Sequence, residues 1–149
     1  MKILVMSREH ARRWSYENKD GIPTAIISIT DPHSPINRFD GAGLRGHPNG
    51  IKSILRLQFA DVDRGSPGCI TSWDAESIVR FVNRNLDKVE RLIVHCEAGQ
   101  SRSAGVAAAI LKYLTGDDTQ IYDDSKYTPN STCYREVLNK FYEEEARNG

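Results

Sequence analysis

At 149 residues the chain is long enough for one domain whose core needs no disulfide or metal staples. Twenty basic residues balance twenty acidic ones, so no global field draws the chain to nucleic acid or to an anionic membrane. Three scattered cysteines, Cys69, Cys96 and Cys133, do not suggest a disulfide scaffold and point to reduced thiols in the cytoplasm. The N-terminal apolar run is too short for a signal-peptide core or a membrane span, and no later run is longer. The expectation is a soluble cytoplasmic protein with no membrane, nucleic-acid or obligate protein partner.

In chain order, Ile- and Val-rich runs at Lys2–Met6, Ala25–Ile29, Ile54–Phe59 and Leu92–His95 read as buried strands. A long loop rich in proline, glycine and polar turn residues fills Thr30–Lys52. Thr71 and Asp74 have capping-box spacing, and Ala75, Ile78, Val79, Val82 and Leu86 follow on one helical face. Ser103–Leu114 is apolar on nearly every side and reads as a buried helix, with Gly116 as its C-terminal cap. A second loop, Thr115–Asn130, carries Asp117, Asp118, Asp123 and Asp124. The last helix begins near Asn130–Thr132 and shows an apolar stripe of Tyr134, Val137, Leu138, Phe141 and Tyr142. Glu143, Glu144 and Glu145 read as its solvated face. Strands alternating with helices predict an α/β fold: a single domain over 1–149, with a central, mostly parallel sheet of about four or five strands and helices on both faces.

The stretch that carries chemistry is His95, Cys96, Glu97, Ala98, Gly99, Gln100, Ser101, Arg102, Ser103. A cysteine and an arginine, five residues apart, stand between a strand and a helix. Gly99 permits the tight curve. The amides of Glu97, Ala98, Gly99, Gln100, Ser101 and Arg102 can then turn inward as a nest for an anion. The helix that starts near Ser101 aims its positive end at the same point. Arg102 can fork onto two phosphate oxygens. The same field stabilises the thiolate of Cys96, which can attack phosphorus and form a phosphocysteine.

At these residues the sequence resembles the cysteine-dependent protein tyrosine phosphatase superfamily. The loop, His-Cys-x-x-Gly-x-Ser-Arg-Ser, looks most like the small dual-specificity branch. The resemblance covers residues 54–114 well and the whole chain loosely. It implies a central sheet with helices on both sides, and two-step hydrolysis of phosphomonoesters with no metal and no cofactor. It implies Cys96 as nucleophile and Arg102 as the phosphate-binding group. By the same resemblance Ser103 stabilises the thiolate leaving in the second step, and His95 holds the loop and tunes Cys96 without touching substrate. The implied substrate is a phosphorylated protein or a small phosphomonoester.

The leaving group needs a proton. The family takes it from an aspartate on a separate loop upstream of the cysteine. Asp61 and Asp63 both follow the strand ending at Phe59, where a side chain points into the ligand crevice of an α/β sheet. Asp61 is favoured because it follows the strand most directly; the alternative is that one or both only cap the turn before Gly65 and Pro67. Asp117, Asp118, Asp123 and Asp124 read as solvated loop residues. Arg64, Tyr122 and Tyr127 are further residues to weigh for substrate binding, with packing or exposure as the plainer reading. A redox partnership of Cys69 or Cys133 with Cys96 has no support in the spacing. The loop holds no lysine and carries Glu97, which disfavours highly charged polyphosphate ligands. A binding-only module sits poorly with the presence of Cys96, Arg102 and an acid. His95 and Cys96 point to opposite strand faces and make a poor chelate.

Overall fold

The structure, a computed structural model, describes residues 1–148. Its elements are β1 (Lys2–Ser7), α1 (Arg8–Glu17), β2 (Thr24–Thr30), β3 (Ile51–Gln58), α2 (Ser72–Asn85), β4 (Arg91–Cys96), α3 (Arg102–Thr115), α4 (Thr119–Tyr122) and α5 (Ser131–Asn148). Four strands form one sheet in the order β1-β4-β2-β3, and every pairing is parallel. β2 and β4 lie in the middle and are buried along their whole length. That burial on both faces is why they read as unbroken apolar runs rather than alternating ones. The expected α/β class holds, with four strands and a fully parallel sheet.

Successive strand residues face opposite ways. Ala25, Ile27 and Ile29 of β2 and Leu92, Val94 and Cys96 of β4 enter the larger core, packed under α2, α3 and α5. Ile26 and Ile93 enter a smaller core with Met6, Ala11 and Phe39, beneath α1 and the loop 31–50. Cys96 and His95 therefore sit on opposite sides of the sheet, Cys96 towards α3 and His95 towards that loop.

Thr71 accepts from the Asp74 amide at 3.1 Å and its own amide donates to the Asp74 carboxylate at 2.9 Å, the reciprocal box expected from their spacing. Gly116 adopts φ +79° and closes α3 through a bond to Lys112 O. Three expectations are corrected, and one helix is added. Helix α1 was not anticipated, because only its Ala11 and Ser15 are buried and its apolar face is too narrow to stand out. Strand β3 begins at Ile51 rather than Ile54, since Lys52 lies on an exposed edge strand and breaks the apolar run. Leu86, placed on the buried face of α2, is instead its C-terminal cap and 41% exposed. Tyr142, placed on the α5 stripe, is 48% exposed and meets Tyr113 only edge-on at 5.7 Å. Among the described residues no helix is long and apolar enough to cross a membrane.

Candidate active site

β4 ends at Cys96 and α3 begins at Arg102, so residues 96–102 must turn from strand to helix at the carboxyl edge of the sheet. Gly99 makes the turn with φ +70°, and a Cβ there would stand 2.5 Å from Ser7 N and 2.6 Å from Met6 C. Only glycine lets the loop lie this close against the end of β1. The loop carbonyls point outward and are taken by neighbours: Glu97 O accepts from Arg8 N, Gln100 O from Thr128 N, and Ser101 O from Asn130 N, at 2.9 to 3.1 Å. Among the described residues no protein acceptor takes the amides of residues 97–102. With the free N-terminal amides of α3, these form a concave set of unmatched donors suited to an anion.

Cys96 is 2% exposed, and its Sγ lies 3.0 Å from Ser103 Oγ. Arg102 is 4% exposed. Its Nη1 donates to Phe59 O at 2.7 Å and stands 2.7 Å from Asp31 Oδ1. Its Nε and Nη2 have no protein partner, yet no fully buried side-chain nitrogen or oxygen among the described residues lacks one. That edge of the guanidinium therefore opens towards solvent, free for the planar fork that Arg makes with phosphate. Nη1 is committed to the protein and fixes the plane of the group.

His95 braces the loop from the other face of the sheet. Its Nε2 meets Ser28 Oγ at 2.6 Å and Asn37 Nδ2 at 3.3 Å, and its Nδ1 meets Cys96 O at 3.1 Å. An amide nitrogen can only donate, so Nε2 accepts and the ring proton resides on Nδ1, where it donates to Cys96 O. Phe39 packs edge-on at 5.7 Å. Burial, ahead of every other cause, pushes His95 down to about 4, which keeps the ring neutral.

Asp61 lies on the segment after β3, and its Oδ1 accepts from Ser101 Oγ at 2.7 Å and from Asn130 Nδ2 at 2.9 Å. Asp63 is not brought to the loop; its carbonyl accepts from Ser66 N in an exposed turn. Arg64 touches α5 through its amide, which donates to Thr132 Oγ1 at 2.9 Å. Glu97 pairs with Arg8 at 3.2 Å, and Arg8 also donates to Ser34 Oγ and Pro35 O, tying the loop to residues 34–35. Tyr127, with Ala98, Gly99, Gln100 and Lys126, lines a shallow cavity of about 290 Å³ on the flank of the loop.

The remaining acidic residues stay away. Asp117 accepts from Thr119, whose hydroxyl and amide hold its carboxyl below the usual range. Asp118 accepts from Tyr134 Oη at 2.7 Å, Tyr122 stands edge-on to Tyr134, and Asp124 pairs with Lys126. Cys133 packs against Gly105 at the back of α3, and burial pushes its thiol well up, which keeps it protonated and a poor nucleophile. Cys69 is half-buried where the segment after β3 leads into α2. Five residues of the site were missed in the sequence: Arg8, Ser28, Asp31, Asn37 and Asn130. Asp31 had a signal, since it follows the end of β2 just as Asp61 follows β3. Arg8, Ser28 and Asn37 carry no local mark, and Asn130 shows only the mark of a helix start.

The chain superposes on human DUSP28 with a TM-score of 0.63, over 97% of this chain and 94% of that one, at 15% identity. This is the dual-specificity phosphatase fold. The same fold matches the human tyrosine phosphatase-like serine/threonine/tyrosine-interacting protein, with a TM-score of 0.61 and 17% identity over 98% and 92% of the two chains. It also matches PTPMT1, solved in complex with PI(5)P, with a TM-score of 0.58 and 18% identity over 99% and 95%. The family model of the Rit1 DUSP-like domain matches residues 73–144, from α2 through the Cys96 loop into α5. No curated protein sequence matches the chain.

Proposed function

We propose that the chain hydrolyses phosphate monoesters through a phosphocysteine on Cys96. One observation carries this reading: a thiol bonded to Ser103, an arginine edge without a protein partner, and a carboxylate bound to Ser101 all meet around one loop of unmatched amides. In the first step the Cys96 thiolate attacks phosphorus while Arg102 and the amides of residues 97–102 hold the equatorial oxygens. The phosphorus–oxygen bond breaks, and its electron pair goes to the leaving oxygen, which takes the proton of Asp61. In the second step water gives a proton to Asp61 and attacks phosphorus. The phosphorus–sulfur bond breaks, its pair returns to sulfur, and the Ser103 hydroxyl donates to the thiolate. The positive charge that the reaction needs comes from Arg102 and the amides, so the scheme is metal-independent.

The substrates that fit are phosphorylated protein side chains, tyrosine or serine and threonine, and small phosphomonoesters. Glu97 is already paired with Arg8, and the loop offers no lysine for a second phosphate. The same reading takes residues 1–149 as one phosphatase domain working in the cytoplasm, where Cys96 stays reduced. The test is to acid-quench the Asp61→Asn variant during turnover of p-nitrophenyl phosphate and map the peptides. Phosphate on the Cys96 peptide is the expected result. Phosphate on another residue, or on none while turnover continues, overturns the scheme; binding without turnover makes the chain a phosphate-recognition module.

A further inference from the structure

Asn130 is the residue just before α5, and the two ends of its side-chain amide have different partners. Oδ1 accepts from Cys133 N at 2.9 Å, the bond of a helix N-cap. That bond settles the orientation of the amide, because only oxygen can accept there. Nδ2 then donates to Asp61 Oδ1 at 2.9 Å and to Val62 O at 3.2 Å. The residue is 8% exposed, and its own amide donates to Ser101 O at 3.0 Å. Gly105 makes the room, since a Cβ there would stand 2.5 Å from Asn130 O. Asn130 thus stitches together the Asp61 segment, the Cys96 loop and α5.

Both hydrogen bonds to the Asp61 carboxylate fall on Oδ1, from Asn130 Nδ2 and Ser101 Oγ. An oxygen already facing two donors is a poor seat for a proton, so protonated Asp61 carries its proton on Oδ2. We propose that Asn130 is a positioning residue that, with Ser101, selects Oδ2 as the proton-bearing oxygen and aims it at the leaving group. This rests on Asp61 being the general acid. The proton passes from Oδ2 to the leaving oxygen in the first step, and Oδ2 takes one from water in the second. Capping alone does not explain the residue: Ser, Thr or Asp cap a helix as well, but only asparagine carries a separate amide nitrogen that reaches Asp61 while its oxygen caps the helix.

That difference separates the two roles. Asn130→Ser keeps a capping oxygen on a side chain one atom shorter, which withdraws the donor from Asp61 and Val62 O; the variant still folds, losing only the stability of those two bonds, and its vanadate inhibition is unchanged. The measurement is kcat/KM on aryl phosphates running from p-nitrophenyl to phenyl, because a badly aimed acid is felt most by the poorest leaving group. Phenyl phosphate turnover falls by about tenfold or more, the loss expected for a bond to a charged group. The loss on p-nitrophenyl phosphate is much smaller, so the dependence on leaving group steepens towards that of Asp61→Asn. An equal loss across the series, or none, overturns the proposal. If Asp61→Asn itself fails to steepen the series, the reading of Asp61 as the acid falls and takes this proposal with it. If Asp61→Asn steepens it and Asn130→Ser does not, only the role of Asn130 falls.

Discussion

Residues 96–102 are held by backbone, whereas Asp61 is held by two side chains. The Cys96 loop grows out of a fully buried central strand, its carbonyls are fastened to Arg8, Thr128 and Asn130, and His95 donates to Cys96 O from behind. Asp61 is exposed, and its carboxylate depends on Ser101 Oγ and Asn130 Nδ2 alone. The proposed hydrolysis asks for this division. A cradle for phosphoryl oxygens must keep one shape through both steps, so it is built into the core. An acid that meets first a leaving group and then a water must face solvent. The difference predicts that damage to the Asp61 segment costs activity without stability, while damage around the Cys96 loop costs both.

The largest expected effect is on the exposed side. Asp61→Asn lowers kcat by about 10²- to 10⁴-fold, while Asp63→Asn stays within about twofold, as for other surface changes; thermal melts of both variants match the wild type. Arg102→Lys comes next. A single ammonium cannot fork onto two oxygens, so kcat/KM falls by about 10²- to 10³-fold. Here stability falls too, by about 1–3 kcal/mol in urea denaturation, because Phe59 O and Asp31 lose a fitted partner. Equal melting temperatures for Arg102→Lys and wild type would erase the distinction between the two regions.

His95 gives a pH signature to the braced side alone. Burial lowers the folded ring to about 4 from an ordinary 6.5, so between those values the unfolded chain binds the extra proton. Stability is full above about 6.5 and drains as pH falls towards 4, by on the order of 3 kcal/mol. Denaturation curves at intervals across that window, compared with His95→Asn, show the loss in wild type and a flatter profile in the variant. The smallest effect belongs to Arg8→Ala. Its pair with Glu97 is partly exposed, which limits the cost to about 0.2–1 kcal/mol, and p-nitrophenyl phosphate turnover shifts by about twofold at most.

What the sequence made legible divides along the same line. The Cys96 loop could be read because strand, glycine turn, arginine and helix are contiguous, and each residue type follows from local geometry. β2 and β4 could be read because burial on both faces makes unbroken apolar runs. Asp61 was reached through its place at a strand end. Asn37 and Ser28 meet His95 only because the strand order sets β4 beside β2, a pairing that no local pattern encodes. Asn130 looks like an ordinary cap until α5 packs on Gly105 and swings its Nδ2 towards Asp61. Helix α1 escaped notice because its polar sequence buries little, though its first residue, Arg8, secures Glu97.

The central claim is that Cys96 is the nucleophile of a metal-independent hydrolysis. The most direct test compares wild type with Cys96→Ser on p-nitrophenyl phosphate in the presence of a chelator. The account predicts turnover in the wild type that survives the chelator, and none in a variant that folds normally. Turnover that persists in Cys96→Ser would contradict it.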